Sequence, residues 1–354
     1  MIENLSVKNQ KIFKFSYTRL IILILVALGI YLLIPKLVGL KEGIKLLHQV
    51  KAIYIILGIL GQLISYTGAA WLLKLILKRL HYRLKFSELI TISSIGAFAI
   101  HFFPLAGAGE AAINYYILRN KDVSAGDTLF TFIIRSLLTY LGFFLFFALG
   151  LLITPIHPHL TINQKIVSII LFIMIVSMTF WVRYLFQHRE KFWRAGRGLL
   201  RAIDWLSRKI LRKKVFTQEK IELVVSDVYE GFRVFSQKKG DWLPATGYAA
   251  IYWLGDIWTL FFALLAFGYL INPGIMIVAY CLATLAGLLS FIPGGLGVLE
   301  GVMSLTLISM GVPATIALFS VLLYRLISFW LLMPAGFVSF LTLQSEITNN
   351  NQQS

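Results

Sequence analysis

The feature that most limits what this chain can fold into is a series of apolar blocks on the scale of a lipid bilayer. They occupy residues 20–34, 52–77, 128–153, 166–186, 243–271 and 313–343. A hydrocarbon core of ~30 Å takes about 20 helical residues at a rise of about 1.5 Å each. Backbone polar groups in lipid must find partners within their own segment, which selects helices. Six spanning helices are expected in an all-α polytopic membrane protein of a bacterial-type inner membrane.

Composition excludes a soluble alternative. Apolar residues make up 58% of the 354 residues and only 14% are Asp, Glu, Lys or Arg, against about 25% charged in soluble domains. The block at 20–34 follows Lys8, Lys11, Lys14 and Arg19 in the manner of a signal peptide, but Leu33-Ile34-Pro35-Lys36 offers no small-residue cleavage site, so a retained anchor is expected. The single cysteine, Cys281, rules out an internal disulfide and a thiolate metal cluster.

Two further apolar stretches, 89–119 and 275–310, are interrupted near the middle by Gly and Pro, which break helices. They read as re-entrant or broken helical hairpins. The segment from Arg183 to Lys214 carries eleven Lys or Arg against Glu190 and Asp204, and positive loops stay inside. The N-terminus, the basic loop 187–242 and the C-terminus are therefore expected on the cytoplasmic face. Within that loop, Lys191 to Arg212 alternates basic residues with Phe192, Trp193, Leu199, Leu200, Trp205 and Leu206, which suits an interfacial helix on anionic headgroups. Ile221, Val224, Val228, Phe232 and Phe235 form a second helical stripe, expected to dock on the membrane surface or on the bundle.

With that orientation the hairpin at 89–119 begins and ends inside, and the one at 275–310 begins and ends outside. The chain divides into span, span, hairpin, span, twice, with opposite orientation. The first repeat is 1–160 and the second 161–345, followed by a polar tail at 346–354. Inverted repeats of this kind characterise membrane transporters. Finer correspondences agree. Pro104 precedes Glu110 and Pro293 precedes Glu300, each in a Gly-rich bend; Arg135 and Arg325 each follow their Glu by 25 residues; and Val123-Ser124-Ala125 matches Val312-Pro313-Ala314.

Glu110, Arg135, Asp256, Glu300 and Arg325 all fall in segments that otherwise read as membrane-embedded. Each charge there costs about 2.5 to 3.5 kcal/mol even on lenient insertion scales, so each needs a partner or water. Arg135 lies on a small or polar stripe with Thr128, Thr131, Thr139 and Gly142; Asp256 shares one with Ala249, Thr259 and Ala263; Gly58, Gln62, Ser65 and Ala69 make a third. Gly109 in the first bend, and Gly294, Gly295 and Gly297 in the second, permit tight reversals into new helix starts, whose free N–H groups suit a phosphate or carboxylate. Two roles are open for Glu110 and Glu300. They are first-turn acids neutralised by Arg135 and Arg325, or the pairs break as an anionic headgroup passes, leaving the arginines to face phosphate. His101 is expected to be a packed, hydrogen-bonded histidine, His157 and His159 loop residues, and Phe143, Phe144, Phe146 and Phe147 lipid-facing.

Enzyme signatures are missing from the sequence. There is no His-Glu-x-x-His, no Gly-x-Ser-x-Gly and no phosphate loop ending in Gly-Lys-Ser/Thr, and no cofactor is expected.

The segments Phe103-Pro104 through Gly109-Glu110, Phe291 through Glu300, and Tyr324-Arg325 with Trp330 resemble the flippase-like transmembrane family that includes the membrane domain of lysylphosphatidylglycerol synthases. The similarity runs from about residue 20 to residue 343, without the soluble synthase domain. It departs from the family pattern at Ala106 and Asn114, where relatives carry basic residues. The resemblance implies lipid translocation, and with the embedded charges the expected cargo is a phosphate-bearing lipid, either an aminoacylated phospholipid or a polyprenyl-phosphate carrier. Glu110, Arg135, Glu300, Arg325 and Asp256 would line the site, with Pro104, Gly109, Pro293, Gly294, Gly295 and Gly297 shaping it. Lipids with anionic headgroups are the expected partners and nucleic acid is not, while a homo-oligomer stays open. Two other readings remain at this point: a secondary transporter of a small soluble solute with Asp256 as its coupling carboxylate, and a non-transporting scaffold that acts through its basic loop.

Overall fold

A computed structural model of the chain describes residues 50–102, 108–154, 173, 177, 184, 188–211, 217–237 and 239–353. The expected span at 20–34, nearly all of that at 166–186, and Pro104, His157 and His159 lie outside the described residues. The described residues are mostly helical, joined by short turns and loops, with no strand among them. In chain order the helices are α1 (Ala52–Arg79), α2 (Phe86–Phe102), α3 (Ala108–Arg119), α4 (Ala125–Ile153), α5 (Arg189–Leu211), α6 (Gln218–Ser236), α7 (Trp242–Ala266), α8 (Pro273–Leu289), α9 (Val298–Ser309), α10 (Ala314–Arg325) and α11 (Leu332–Gln353). Four stretches are long and apolar enough to cross a bilayer: Ala52–Arg79, Ala125–Ile153, Trp242–Ala266 and Ala314–Leu343. Each corresponds to one of the expected spans.

The two interrupted stretches are helical hairpins of equal dimensions. Each has a first arm of 17 residues, α2 and α8, and a second arm of 12, α3 and α9. At about 1.5 Å per residue these arms are roughly 25 Å and 18 Å long, shorter than a bilayer core of about 30 Å. Asn272 caps α8 by accepting from the Gly274 N–H, with Pro273 at the first helical position, where a missing N–H costs nothing. The matched tripeptides both mark helix starts, since Ser124 is the N-cap of α4 and Pro313 the N-cap of α10.

Antiparallel α1 and α7 form the centre. Gly58 meets Thr259, Gly61 meets Gly255, and Gly68 meets Tyr252 and Tyr248, so the register rises on one helix as it falls on the other. The approach is backbone to backbone: a Cβ added to Gly61 would stand 2.7 Å from the Gly255 carbonyl oxygen, and one added to Gly255 would stand 2.4 Å from that of Gly61. Small residues allow this closeness where lipid supplies no hydrophobic drive between helices. Around this axis each hairpin's first arm packs on a long apolar helix distant in sequence. Arm α2 lies on α11, where Phe98 meets Phe337 and Phe340, and α8 lies on α4, where Ile277 fits against Gly150.

Two departures from expectation concern packing. Phe143 and Phe147 are buried, at 2% and 1% exposure, and do not face lipid; Phe143 sits 4.9 Å from the Trp253 ring in the main core. An aromatic in an apolar helix suits lipid or protein equally, and Trp253 on the facing helix decides it. The span at 313–343 is not one regular helix either: it widens into a π-helix at Leu326–Leu331, directly after Arg325. Pro334 follows, with no N–H to return to the Trp330 carbonyl. The second amphipathic stripe docks on the bundle: Val228 and Phe235 of α6 are buried against Phe130 and Ala245. Helix α5 packs in turn on α6, with Gly196 against Val225 and Arg197 bridged to Glu222.

Candidate functional site

At the second bend the chain turns through Pro293–Gly295, with Gly294 at φ 62°, Gly295 at φ 63° and Gly297 at φ 83°. That left-handed region is open to glycine without steric cost. Helix α9 begins at once, and Glu300 in its first turn accepts from the Gly297 N–H at 2.7 Å, answering the exposed helix start. Arg325 completes the arrangement. Its Nε donates to Glu300 Oε1 at 2.7 Å, its Nη2 to the Gly294 carbonyl at 2.7 Å, and its guanidinium lies 4.5 Å from the centre of the Phe329 ring. The side chains are 2% and 3% exposed. Glu300 is thus both a first-turn acid and an ion-pair partner.

The first pair is built differently. Glu110 lies in the first turn of α3, and its Oε1 is 3.2 Å from Arg135 Nη1. A long 3.4 Å hydrogen bond from Asn114 Nδ2 also reaches Glu110, and Gly96 on α2 leaves room for the carboxylate. Both side chains are 13% exposed. Of the five N–H groups a guanidinium offers, one is engaged by Glu110 among the described residues.

Asp256 of α7 holds a third position, reached by side chains from α1, α8 and α10. Gln62 Nε2 on α1 donates to its Oδ1 at 2.5 Å, Tyr280 on α8 donates to Oδ2 at 2.5 Å, and the Tyr324 hydroxyl on α10 lies 3.2 and 3.1 Å from the two oxygens. Thr259 extends the network, accepting from Gln62 and donating to the Gly58 carbonyl. Glu110, Arg135, Asp256 and Arg325 all line one cavity of about 500 Å³, with Gly294 and Gly295 on its wall. Ser65, Ser93, His101, Ser136, Thr139, Thr284 and Ser328 are among the further polar residues of the lining, interspersed with apolar ones such as Ala69, Leu72 and Leu299.

The sequence-derived set is therefore largely brought together. Five ionisable residues converge on one cavity or on a partner that lines it, and Pro293, Gly294, Gly295 and Gly297 form its second bend. Gly109 sits in ordinary helix at the start of α3, and Pro104 lies outside the described residues. His101 is packed against Phe329, at 4.9 Å between rings, as expected, but its buried Nδ1 has no hydrogen-bond partner among the described residues. Gln62, Tyr280 and Tyr324 were not among the expected site residues. A tyrosine and a glutamine within apolar helices are the signals that point to them.

A family model described as the lysylphosphatidylglycerol synthase TM region matches residues 20–336. The chain is similar to a UPF0104 membrane protein of Methanocaldococcus jannaschii, 25% identical over 343 residues that cover 94% of this chain and 98% of the relative. It is also similar to a UPF0104 membrane protein of Pyrococcus horikoshii, 25% identical over 323 residues, 88% of this chain and 93% of the relative. The matched stretch takes in both bends and both Glu–Arg pairs, and the relatives' description agrees with the apolar helices. The chain is a multi-pass membrane protein that belongs to the lysylphosphatidylglycerol synthase TM region family.

Proposed function

We propose that this protein is a lipid translocator, not an enzyme, and that it passes the headgroup of a phosphate-bearing lipid through the cavity between its two hairpins. The observation that carries this reading is the convergence of Glu110, Arg135, Asp256 and Arg325 on a single cavity of about 500 Å³. Small-molecule sites span roughly 300–1,000 Å³, so the volume suits a headgroup, while acyl chains stay in the bilayer. Arg135 is the phosphate-facing residue, because its guanidinium is partly exposed to the cavity and has donors to spare. Arg325, buried and bonded to both Glu300 and the Gly294 carbonyl, holds the second bend in shape. An aminoacylated phospholipid and a polyprenyl-phosphate carrier both present the required phosphate.

An inverted repeat, 1–160 against 161–345, underlies the mechanism. Its support is the antiparallel α1–α7 crossing, the equal hairpin arms, and the exchange of arms between halves. Two hairpins entering from opposite faces would give the cavity alternate access to the leaflets. The N-terminus, the basic loop and the C-terminus are assigned to the cytoplasmic side. Helix α5 rests there on anionic headgroups, with Leu199 and Trp205 exposed among its basic residues.

Native mass spectrometry of protein purified from membranes tests the binding step. Wild type should retain a phosphate-bearing lipid and Arg135→Ala should lose it. Losing a charge-assisted hydrogen bond, about 1.5–3 kcal/mol, corresponds to roughly 10- to 150-fold weaker binding. Equal retention by the two proteins would argue against phosphate recognition at Arg135.

A further inference from the structure

The charges around the cavity do not balance. Glu110 is matched by Arg135 and Glu300 by Arg325, each within ion-pair distance. Asp256 has no basic group within that distance among the described residues, and its contacts are the neutral Gln62, Tyr280 and Tyr324. The other titratable groups lining the cavity are Tyr66 of α1, His101 of α2, Tyr140 of α4 and Tyr252 of its own helix α7, and the cation whose charge reaches Asp256 is Arg325, already paired with Glu300. His101 shares the Phe329 ring with the fixed charge of Arg325 and is counted neutral. The bend at 103–107 has no ionisable side chain. With Asp256 ionised, the described groups sum to one net negative charge, and an isolated charge in a low-dielectric interior is costly.

That excess opposes the proposed cargo. A phosphodiester headgroup is itself an anion, and placing it beside an uncompensated carboxylate adds like-charge repulsion where screening is weakest. A single proton on Asp256 removes the excess. A bound metal ion is a poorer neutraliser, since the carboxylate oxygens face hydrogen-bond donors, whereas a hard cation takes six or more oxygen ligands. A protonated Asp256 can be served by the same shell, because the hydroxyl of Tyr280 or Tyr324 can rotate from donating to accepting.

We propose that Asp256 is a proton-coupling site: it takes one proton from water when the cavity takes an anionic headgroup and returns that proton when the headgroup leaves. One proton enters with one monoanionic headgroup, so the loaded cavity has the same net charge as the empty one. Coupling follows by linkage, since the proton removes a carboxylate charge that repels the headgroup and the headgroup adds a negative charge that favours the proton. This rests on the lipid-translocator reading, and its test separates the two.

Infrared difference spectra of the reconstituted full chain, recorded as the pH is stepped, should contain the C=O stretch of a titrating carboxylic acid. The band should vanish in Asp256→Asn. It should shift to higher midpoint pH in Tyr280→Phe, which keeps the acid but removes a donor to its ionised form. Adding short-chain phosphatidylglycerol should raise the wild-type midpoint. In proteoliposomes, wild-type transfer of labelled phosphatidylglycerol from the acidified side should quicken, approaching about tenfold per pH unit. Transfer by Asp256→Asn should be indifferent to pH. Superimposable infrared titrations of wild type and Asp256→Asn would overturn the proposal. Lipid transfer that needs Arg135 yet is flat with pH would overturn it too, while leaving translocation standing. A titrating Asp256 band that ignores added phosphatidylglycerol would leave the acid but remove the coupling, which also overturns it.

Discussion

Arg325 and Glu300 meet at 2.7 Å with both side chains almost fully buried, whereas Arg135 and Glu110, at the same 25-residue spacing, meet at 3.2 Å on the cavity wall. One sequence relationship thus produces two different objects. The inner pair ties a helix start, a Gly-rich bend and an aromatic ring together; the outer pair leaves donors for something else.

Stability and transport should therefore separate between the two arginines. Arg325→Ala strands Glu300 in the interior, and breaking a buried pair from one side costs about 3–5 kcal/mol. Its apparent melting temperature in detergent should fall well below wild type. Arg135→Ala should melt close to wild type and fail in lipid binding. Equal melting of the two variants would place both pairs in the same role.

The α1–α7 crossing makes a second prediction. Gly61→Ala directs a methyl group at the Gly255 carbonyl oxygen, and overpacking of this kind costs about 1–3 kcal/mol. Gly198→Ala, on exposed α5 with nothing within 4 Å, should be neutral or stabilising by up to about 1 kcal/mol. Thermal unfolding of the two variants side by side checks the contrast.

Asp227 of α6 supplies a pH dependence outside the membrane-spanning segments. Burial, and then the nearby Asp127, push its carboxyl above the usual range. The folded state thus binds this proton more tightly than the unfolded chain. Its contribution is most favourable below the ordinary aspartate value and is lost as pH rises through the raised one. Asp227→Asn should raise the apparent melting temperature at pH near 7 and change it little in acid, as thermal scans at both ends would read. A gain confined to acid would contradict the assigned cause.

Helix α5 should respond to the leaflet beneath it. In nanodiscs with anionic lipid, amides of Arg189–Leu211 should exchange hydrogen more slowly than in neutral nanodiscs, and salt should erase the difference. Identical exchange in both lipids would remove the interfacial role.

Much of this arrangement was legible in the sequence because its signals are local. Charges inside apolar blocks announce themselves, and the repeated Glu-to-Arg spacing needs no coordinates to see. The shells around those charges were not legible. Gln62 lies 194 residues from Asp256, and Tyr280 and Tyr324 reach it from other helices, so only the packed bundle joins them. Likewise the two Glu–Arg pairs read alike, because nothing nearby in sequence says which is buried and which stays partly exposed; the left-handed glycines and the Gly294 carbonyl decide it. The Phe143 and Phe147 misreading has the same origin, since apolar residues specify burial without naming the partner.

The most direct measurement is the rate at which labelled phosphatidylglycerol crosses between leaflets of proteoliposomes, followed by quenching of the outer leaflet. Wild type should exchange the label far faster than protein-free vesicles, and Arg135→Ala should fall to the protein-free rate. Wild-type protein that moves the lipid no faster than empty vesicles at every pH assayed would contradict lipid translocation through this cavity.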